Sequence, residues 1–449
     1  MTAQTSRAAN DISPPNDLEA WWLPFTANRS FKQRPRMVAR AKGMYYYTPD
    51  GREVIDGAAG LWCCNAGHNR DEITAAIQTQ AQELDYSPAF QFGHTGGFAI
   101  ASRIAQLAPA DLNHVFFCNS GSEAVDTALK IALAYWNLRG QGSKTRLIGR
   151  ERGYHGVGFG GISVGGIVKN RQYFGTLLAG VDHLPHTYNR EEQAFTKGEP
   201  EWGAHLADEL ERIVTLHDAS TIAAVIVEPM AGSTGVIPAP KGYLQRLRQI
   251  CDKYGILLIF DEVISGFGRL GTAFAAERYG VVPDIVTFAK GVNSGTVPMG
   301  GVVVREGLYD AFMQGPEHMI ELFHGYTYSG HPLACAAALA AQDIYRDEKL
   351  FERAKTLEPV WADAIHSLKG QPNVLDIRTV GLVGAIDLAS RPDAVGARAF
   401  EAMDRAFHEY GLMMRVTGDT IALSPPLIVT EEQIGEIVDK VAKVIKAVA

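Results

Sequence analysis

Residues 284–295 read DIVTFAKGVNSG. An unbroken run, IVTFA, ends on Lys290, and a glycine follows at once. A short run that stays apolar on both faces reads as a strand buried inside a parallel sheet. Its last residue is the puzzle, because lysine is seldom buried unless it is paired or used. Either Lys290 snorkels past the sheet to solvent, or it stands desolvated in a pocket as an amine ready to attack a carbonyl.

Working outward, the same texture recurs on both sides. HVFFC (114–118), RLIG (146–149), AAVIVEP (223–229), ILLIFDE (256–262) and GGVVVR (300–305) are short apolar runs. Helical patterns such as SEAVDTALKIALAYWNL and YLQRLRQICDKYG separate several of them. The alternation predicts an α/β fold with a mostly parallel central sheet and right-handed crossovers. Beyond residue 330 the pattern changes to two long helices, a hairpin over VLDIRTVGLVGAIDLA, another helix, and short strands in LMMRVTG and TIALSPP. A terminal helix opens with a Thr-x-x-Gln capping box. The expected division is a flexible arm (1–16), a large domain (81–335), and a smaller α+β domain built from 17–80 and 336–449.

Bulk composition narrows the function. The 42 basic and 50 acidic side chains give a net charge of −8, with no long block of either sign. Nucleic-acid and membrane-surface roles therefore have little electrostatic support. Five cysteines with no C-x-x-C spacing suggest neither a disulfide framework nor a zinc site. No signal peptide or transmembrane run is expected, so the default location is the cytoplasm. GVGFGG (156–161) fits a dinucleotide fingerprint, with Asp182 at a suitable distance, but no strand leads straight into it. His183 and His186 straddle a proline, so no metal site is expected there.

Three strand ends carry reactive residue types, and ligands of open α/β sheets bind beyond the carboxyl ends of strands. Asn119, Ser120, Gly121 and Ser122 turn into a helix, whose free N–H groups and positive dipole end suit a phosphate. Read alone, the turn is more readily a plain Ser cap with no ligand. Asp261 closes ILLIFDE and must be paired, with a structural salt bridge or a protonated pyridine nitrogen as candidate partners. Lys290 lies one strand further on. A phosphate grip, a pyridinium partner and a Schiff-base lysine are together what pyridoxal phosphate requires of a protein.

The motifs EPMAGSTGV, LLIFDEVISGFGRLG and TFAKGVNSG resemble the signature of class III, fold-type I aminotransferases. GLWCCNAGH, NSGSEAVDTALK, GRERGYHG, HGYTYSGHP and MMRVTGDTIALSPPL match in order, so the likeness covers nearly the whole chain. It is strongest toward the ω-amino acid:pyruvate (β-alanine:pyruvate) enzymes. The resemblance implies pyridoxal phosphate as cofactor, with Lys290 as Schiff-base lysine and general acid/base. It further implies Asp261 on the pyridine nitrogen, Val263 and Tyr154 on the two ring faces, and Ser120, Gly121 and Ser122 at the phosphate. Glu228 would be a hydrogen-bonding residue near the cofactor. Thr327 would reach the phosphate of a neighbouring subunit, which implies a homodimer or a pair of dimers.

The same resemblance makes Arg415 the clamp for a substrate carboxylate, its planar fork matching the group bidentately. Phe25, Leu61, Trp62, Phe90, Tyr154 and Ala231 would form the substrate wall. Two departures bear on specificity. Relatives acting on ornithine or γ-aminobutyrate carry a glutamate where this chain has Ser233, and a glutamine where it has Ile264. Without that glutamate to occupy Arg415, pyruvate is favoured as acceptor and β-alanine, a related ω-amino acid or a primary amine as donor. The alternative is another class III enzyme: a 4-aminobutyrate-type aminotransferase, an aminomutase or a decarboxylase.

Overall fold

The computed structural model describes residues 18–449; the expected arm, 1–16, lies outside them. Seven strands make the central sheet: β1 (Leu112–Cys118), β2 (Arg146–Arg150), β3 (Val181–Leu184), β4 (Ile222–Val227), β5 (Leu257–Asp261), β6 (Ile285–Ala289) and β7 (Gly300–Arg305). Their order in space is β1-β7-β6-β5-β4-β2-β3. Every residue of β4, β5 and β6 is buried, which is why these strands read as continuous apolar runs rather than alternating ones.

Two features differ from expectation. β7 runs antiparallel to both neighbours, with Gly300 opposite Ala289 and Cys118. The short segment 290–299 contains no crossover helix, so the chain returns alongside β6 instead of crossing over. Strand β3 has no apolar signature: it is a four-residue edge strand, VDHL, with only Leu184 fully buried. Its Asp182 takes an ion pair from Arg146 Nη1 at 2.6 Å and so tolerates the rim.

Helix α1 (Gly121–Leu138) follows β1 and lies on the sheet through Ala124, Val125, Ala128, Ala132 and Trp136. The small residues let it approach closely, and Trp136 Nε1 donates to Ala223 O at 2.8 Å. Beyond residue 330 come α2 (Pro332–Asp347) and α3 (Leu350–His366). An antiparallel sheet follows: β8 (Val374–Val380), β9 (Val383–Leu388), β10 (Arg415–Thr417) and β11 (Thr420–Leu423), in the order β8-β9-β11-β10. Helices α4 (Ala397–Tyr410) and α5 (Glu431–Ala447) complete the region. Thr430 and Gln433 form both halves of the predicted capping box.

A further small sheet joins the two ends of the chain. Arg40–Lys42, Tyr45–Tyr47 and Glu53–Asp56 are antiparallel neighbours, and Leu412–Met413 adds in parallel beside Ile55 and Asp56. One sheet thus draws strands from both the 17–80 and the 336–449 segments. Among the described residues no helix is long and apolar enough to cross a membrane.

Candidate active site

Lys290 is the first residue beyond β6, and it turns the chain with a left-handed φ of 50°. That region is sparsely populated by residues with a Cβ and stores strain unless its surroundings hold it. Gly295 N donates to Lys290 O at 3.0 Å and closes the turn. The next residue must be glycine for want of space: a Cβ on Gly291 would lie 2.6 Å from Asn65 Nδ2 and 3.0 Å from Phe267 Cβ. Tyr345 Oη also donates to Gly291 O at 2.6 Å. The lysine–glycine pair is thus a device for re-aiming one side chain. Burial pulls the Lys290 ammonium below the ordinary lysine value, against the opposing influence of Cys63, Asp261 and Glu228.

Asp261 ends β5 directly opposite Thr287 of β6. Thr287 Oγ1 and Val263 N donate to Asp261 Oδ1, each at 3.1 Å. On its other oxygen, Oδ2, the carboxylate faces His155 Nδ1 at 2.8 Å. His155 is itself buried, and among the described residues its Nε2 has no partner. Sequence reasoning missed both His155 and Thr287. Each stood inside a quoted motif, GYHG and TFAKG, but only the strand register and a loop return bring them to Asp261.

The N-terminus of α1 is the third element. Ser120 caps the helix through its side chain, accepting from Glu123 N at 3.2 Å. Gly121 and Ser122 then present first-turn N–H groups that no helical carbonyl can satisfy. A Cβ on Gly121 would sit 2.9 Å from Val263 Cγ1, and one on Gly156 would sit 2.5 Å from Ser122 Oγ. These glycines bring the α1 terminus, Val263 and the Tyr154 loop to one place. Glu228 ties two loops together, accepting from Tyr154 N at 2.9 Å and from Gly232 N at 3.1 Å. Burial raises its carboxyl above the ordinary value.

These groups line one cavity of about 550 Å³, together with Phe25, Leu61, Trp62 and Arg415. Trp62 takes a left-handed φ of 64° in a turn organised by Asp56, which accepts from Ala58 N at 2.9 Å and Gly60 N at 2.6 Å. Next to it, Cys63 and Cys64 are half-buried, and hydrogen bonding from Cys64 pulls Cys63 down to about 6. Among the described residues no carboxylate engages the Arg415 guanidinium; its neighbour of note is Tyr154. Ser233 and Ile264, the two positions that the sequence singles out for specificity, both line the wall.

Other expected residues fall elsewhere. Ala231 is buried behind the wall, in a two-strand ribbon with Ile237, and Gly232 and Ser233 face the cavity in its stead. Ser120 acts at the helix cap rather than on the cavity surface. Phe90 is 56% exposed and lies against Gly325 in the loop that carries Thr327. Thr327 is exposed on that loop, its carbonyl accepting from Tyr86 Oη at 3.1 Å. Neither Phe90 nor Thr327 lines the cavity of its own chain.

Pyridoxal phosphate fits this donor set. The α1 N-terminus supplies anion-binding N–H groups in a cradle that a Cβ at Gly121 or Gly156 would fill. Asp261 could supply a buried carboxylate for a protonated ring nitrogen, and Lys290 the amine. The cavity is of a size usual for a cofactor with a small substrate.

Comparison with known proteins agrees with this chemistry. The family model "Aminotransferase class-III" matches residues 26–445. An omega-aminotransferase of Caulobacter vibrioides is 62% identical over 430 residues, covering 96% of this chain and 98% of the relative. A beta-alanine–pyruvate aminotransferase of Pseudomonas aeruginosa is 49% identical, covering 99% of this chain and 100% of the relative. Among solved structures, the omega transaminase of Pseudomonas jessenii in complex with PMP is 32% identical, with a TM-score of 0.90 and coverage of 95% and 96%.

Proposed function

The chain belongs to the class-III aminotransferase family, whose members depend on pyridoxal phosphate, and on that premise we propose that it passes the amino group of β-alanine, or a related ω-amino acid or primary amine, to pyruvate. One observation carries the reading: Lys290, Asp261 and the α1 N-terminus share a cavity with an arginine that no carboxylate engages among the described residues. The names of the relatives agree with it.

When bound, pyridoxal phosphate would supply an electrophilic carbonyl and a ring that accepts electron density from the substrate's amine-bearing carbon. The protein's own groups do the rest. Gly121 and Ser122 hold the phosphate at the positive end of α1. Asp261 holds a proton at the ring nitrogen, and His155, Thr287 and Val263 N keep its two oxygens aimed. Val263 and Tyr154, which both line the cavity, would pack against the ring. Lys290 would hold the cofactor through its amine and, as a free amine, would move a proton at the substrate's amine-bearing carbon, a task that its depressed ammonium favours. Arg415 holds the carboxylate of pyruvate or of an amino acid donor. Phe25, Leu61 and Trp62 exclude water and admit alkyl or aryl groups.

The experiment that tests this is a visible absorption titration of the purified holoenzyme. The band of the lysine-bound cofactor should fade on adding β-alanine and return on adding pyruvate. A band that responds to neither overturns the assignment of donor and acceptor. Arg415→Ala should raise KM for pyruvate about 10- to 100-fold, the worth of a charge-assisted pair, with much less effect on KM for 1-phenylethylamine. Equal effects on both would sink the clamp.

The reading includes a homodimer in which Thr327 completes the neighbouring site. Its support is the exposed aromatic surface near that loop, with Phe90 at 56%, Phe98 at 73% and Phe323 at 86% exposure. Light scattering should give twice, or for paired dimers four times, the chain mass of 48.8 kDa. A monomeric mass with full activity would refute the shared site.

A further inference from the structure

Arg378 of β8 is only 3% exposed, a depth at which a guanidinium survives only if every donor is engaged. It is engaged on two sides. Toward β9, Nη1 and Nη2 grip Asp387 bidentately, each contact 2.8 Å long, and Nη1 also pairs with Asp376. Toward the large domain, Nη2 donates to Gly235 O at 2.7 Å and Nε to Val236 O at 3.2 Å.

Tyr188 seals the cluster. Its hydroxyl lies 2.9 Å from Asp376 Oδ2 and 3.1 Å from Asp387 Oδ2, and its ring lies under both Arg378 and Arg152. Arg152 in turn donates to Thr234 O at 3.2 Å and receives Thr234 Oγ1 on its carbonyl at 2.8 Å. Two arginines and two aspartates thus balance in charge around one tyrosine.

The two sides gripped by Arg378 lead to two walls of the cavity, one at Gly232 and Ser233 and the other at Arg415 and Ala422. Residues 232–236 include Ser233, and Gly235 and Val236 both sit at positive φ, 111° and 54°. A loop with two successive left-handed residues keeps that shape only under constraint, and Arg378 takes both of their carbonyls. On the other side Asp387 lies opposite Thr420 and accepts from its Oγ1 at 2.7 Å. Thr420 belongs to β11, whose Ala422 is the register partner of Arg415. The span from Ser233 to Arg415 therefore passes through one guanidinium.

We infer that Arg378 is a positioning residue for carboxylate recognition, fixing how far the Ser233 loop stands from the strand pair that presents Arg415. This rests on the assignment of Arg415 as the carboxylate clamp. Lysine at 378 keeps the charge but cannot grip Asp387 and two carbonyls together. Misplacement by a fraction of an ångström then weakens binding of the carboxylate rather than proton transfer at Lys290.

The test measures steady-state kinetics of the holoenzyme for Arg378→Lys, Arg415→Ala and the double variant, with pyruvate and with 1-phenylethylamine. Arg378→Lys should raise KM for pyruvate about tenfold and change KM for the amine less than about twofold. In the Arg415→Ala background it should change KM for pyruvate less than about twofold, since both act on one contact. Equal losses on both substrates, or full additivity, would overturn the inference in favour of a plain structural staple. If Arg415→Ala raises KM while Arg378→Lys leaves it at the wild-type value, this inference alone fails. If Arg415→Ala leaves KM unchanged, the clamp and the inference fall together. Should Arg378→Lys not fold, Tyr188→Phe, which keeps the ring and removes one hydroxyl from the cluster, should show the same asymmetry at a few-fold size; a symmetric effect there overturns the inference.

Discussion

Lys290→Ala should lower turnover of β-alanine with pyruvate by at least about 10⁴-fold, the upper range for loss of a positioned acid/base, and more if attachment of the cofactor is also lost. The fold should survive. Alanine fits the left-handed turn no worse than lysine, and Gly291, Tyr345 and Gly295 still hold that turn. The variant should also lack the visible band of the lysine-bound cofactor. Turnover at the wild-type rate would remove Lys290 from the mechanism. The same burial has a thermodynamic signature. A lysine whose folded value is depressed contributes stability that is fully present above the ordinary value, about 10.4, and lost as pH falls through the folded one. In cofactor-free protein, Lys290→Met should therefore gain Tm relative to wild type more at pH 6 than at pH 10. A gain independent of pH would mean that Lys290 is not desolvated.

Asp261→Asn is expected to lower kcat by about 10²- to 10³-fold, the usual loss on removing a preorganised charge from a reacting centre, with little change in KM. Its geometry is nearly isosteric, which makes the charge the variable. The hydrogen bonds add a second cost. One carboxylate oxygen takes Thr287 Oγ1 and Val263 N, and the other faces His155 Nδ1. An asparagine has one oxygen, so its amide must turn toward one set. Turning toward His155 requires the imidazole to accept at Nδ1 and carry its proton on Nε2, a buried atom without a partner among the described residues. His155→Phe in a wild-type background should then reproduce part of the loss. An Asp261→Asn enzyme with wild-type kcat would show that no charge is needed at the ring nitrogen.

Much of this site can be read along the chain, for a physical reason. Strands β4, β5 and β6 are buried on both faces, so their apolar runs mark themselves, and the polar residues that end them mark the ligand side of the sheet. The Gly121–Ser122 terminus announces itself through its Ser120 cap. What escapes is whatever depends on contact across the fold. His155 is one loop residue among many until Asp261 meets it. Strand β3 hides because an edge strand carries charge, and the reversal of β7 leaves no trace in the composition of 290–299. Ala231 and Ser233 show the limit most sharply: a shift of two positions decides which residue faces the cavity, and long-range contacts such as the Arg378 clamp, the ribbon and the Glu228–Gly232 bond fix that choice.

The small sheet that unites the chain ends has a consequence for biosynthesis. Ile55 acquires its partner Leu412 only when almost the whole chain has been made. At roughly 5–20 residues per second, a ribosome takes roughly twenty seconds to a minute over the intervening stretch. Throughout that interval the Glu53–Asp56 strand emerges with one open edge, a template for pairing with another nascent chain. The central sheet, by contrast, can close as soon as β7 is released. Yield of native enzyme on overproduction should therefore depend on how well this early strand is shielded while translation finishes.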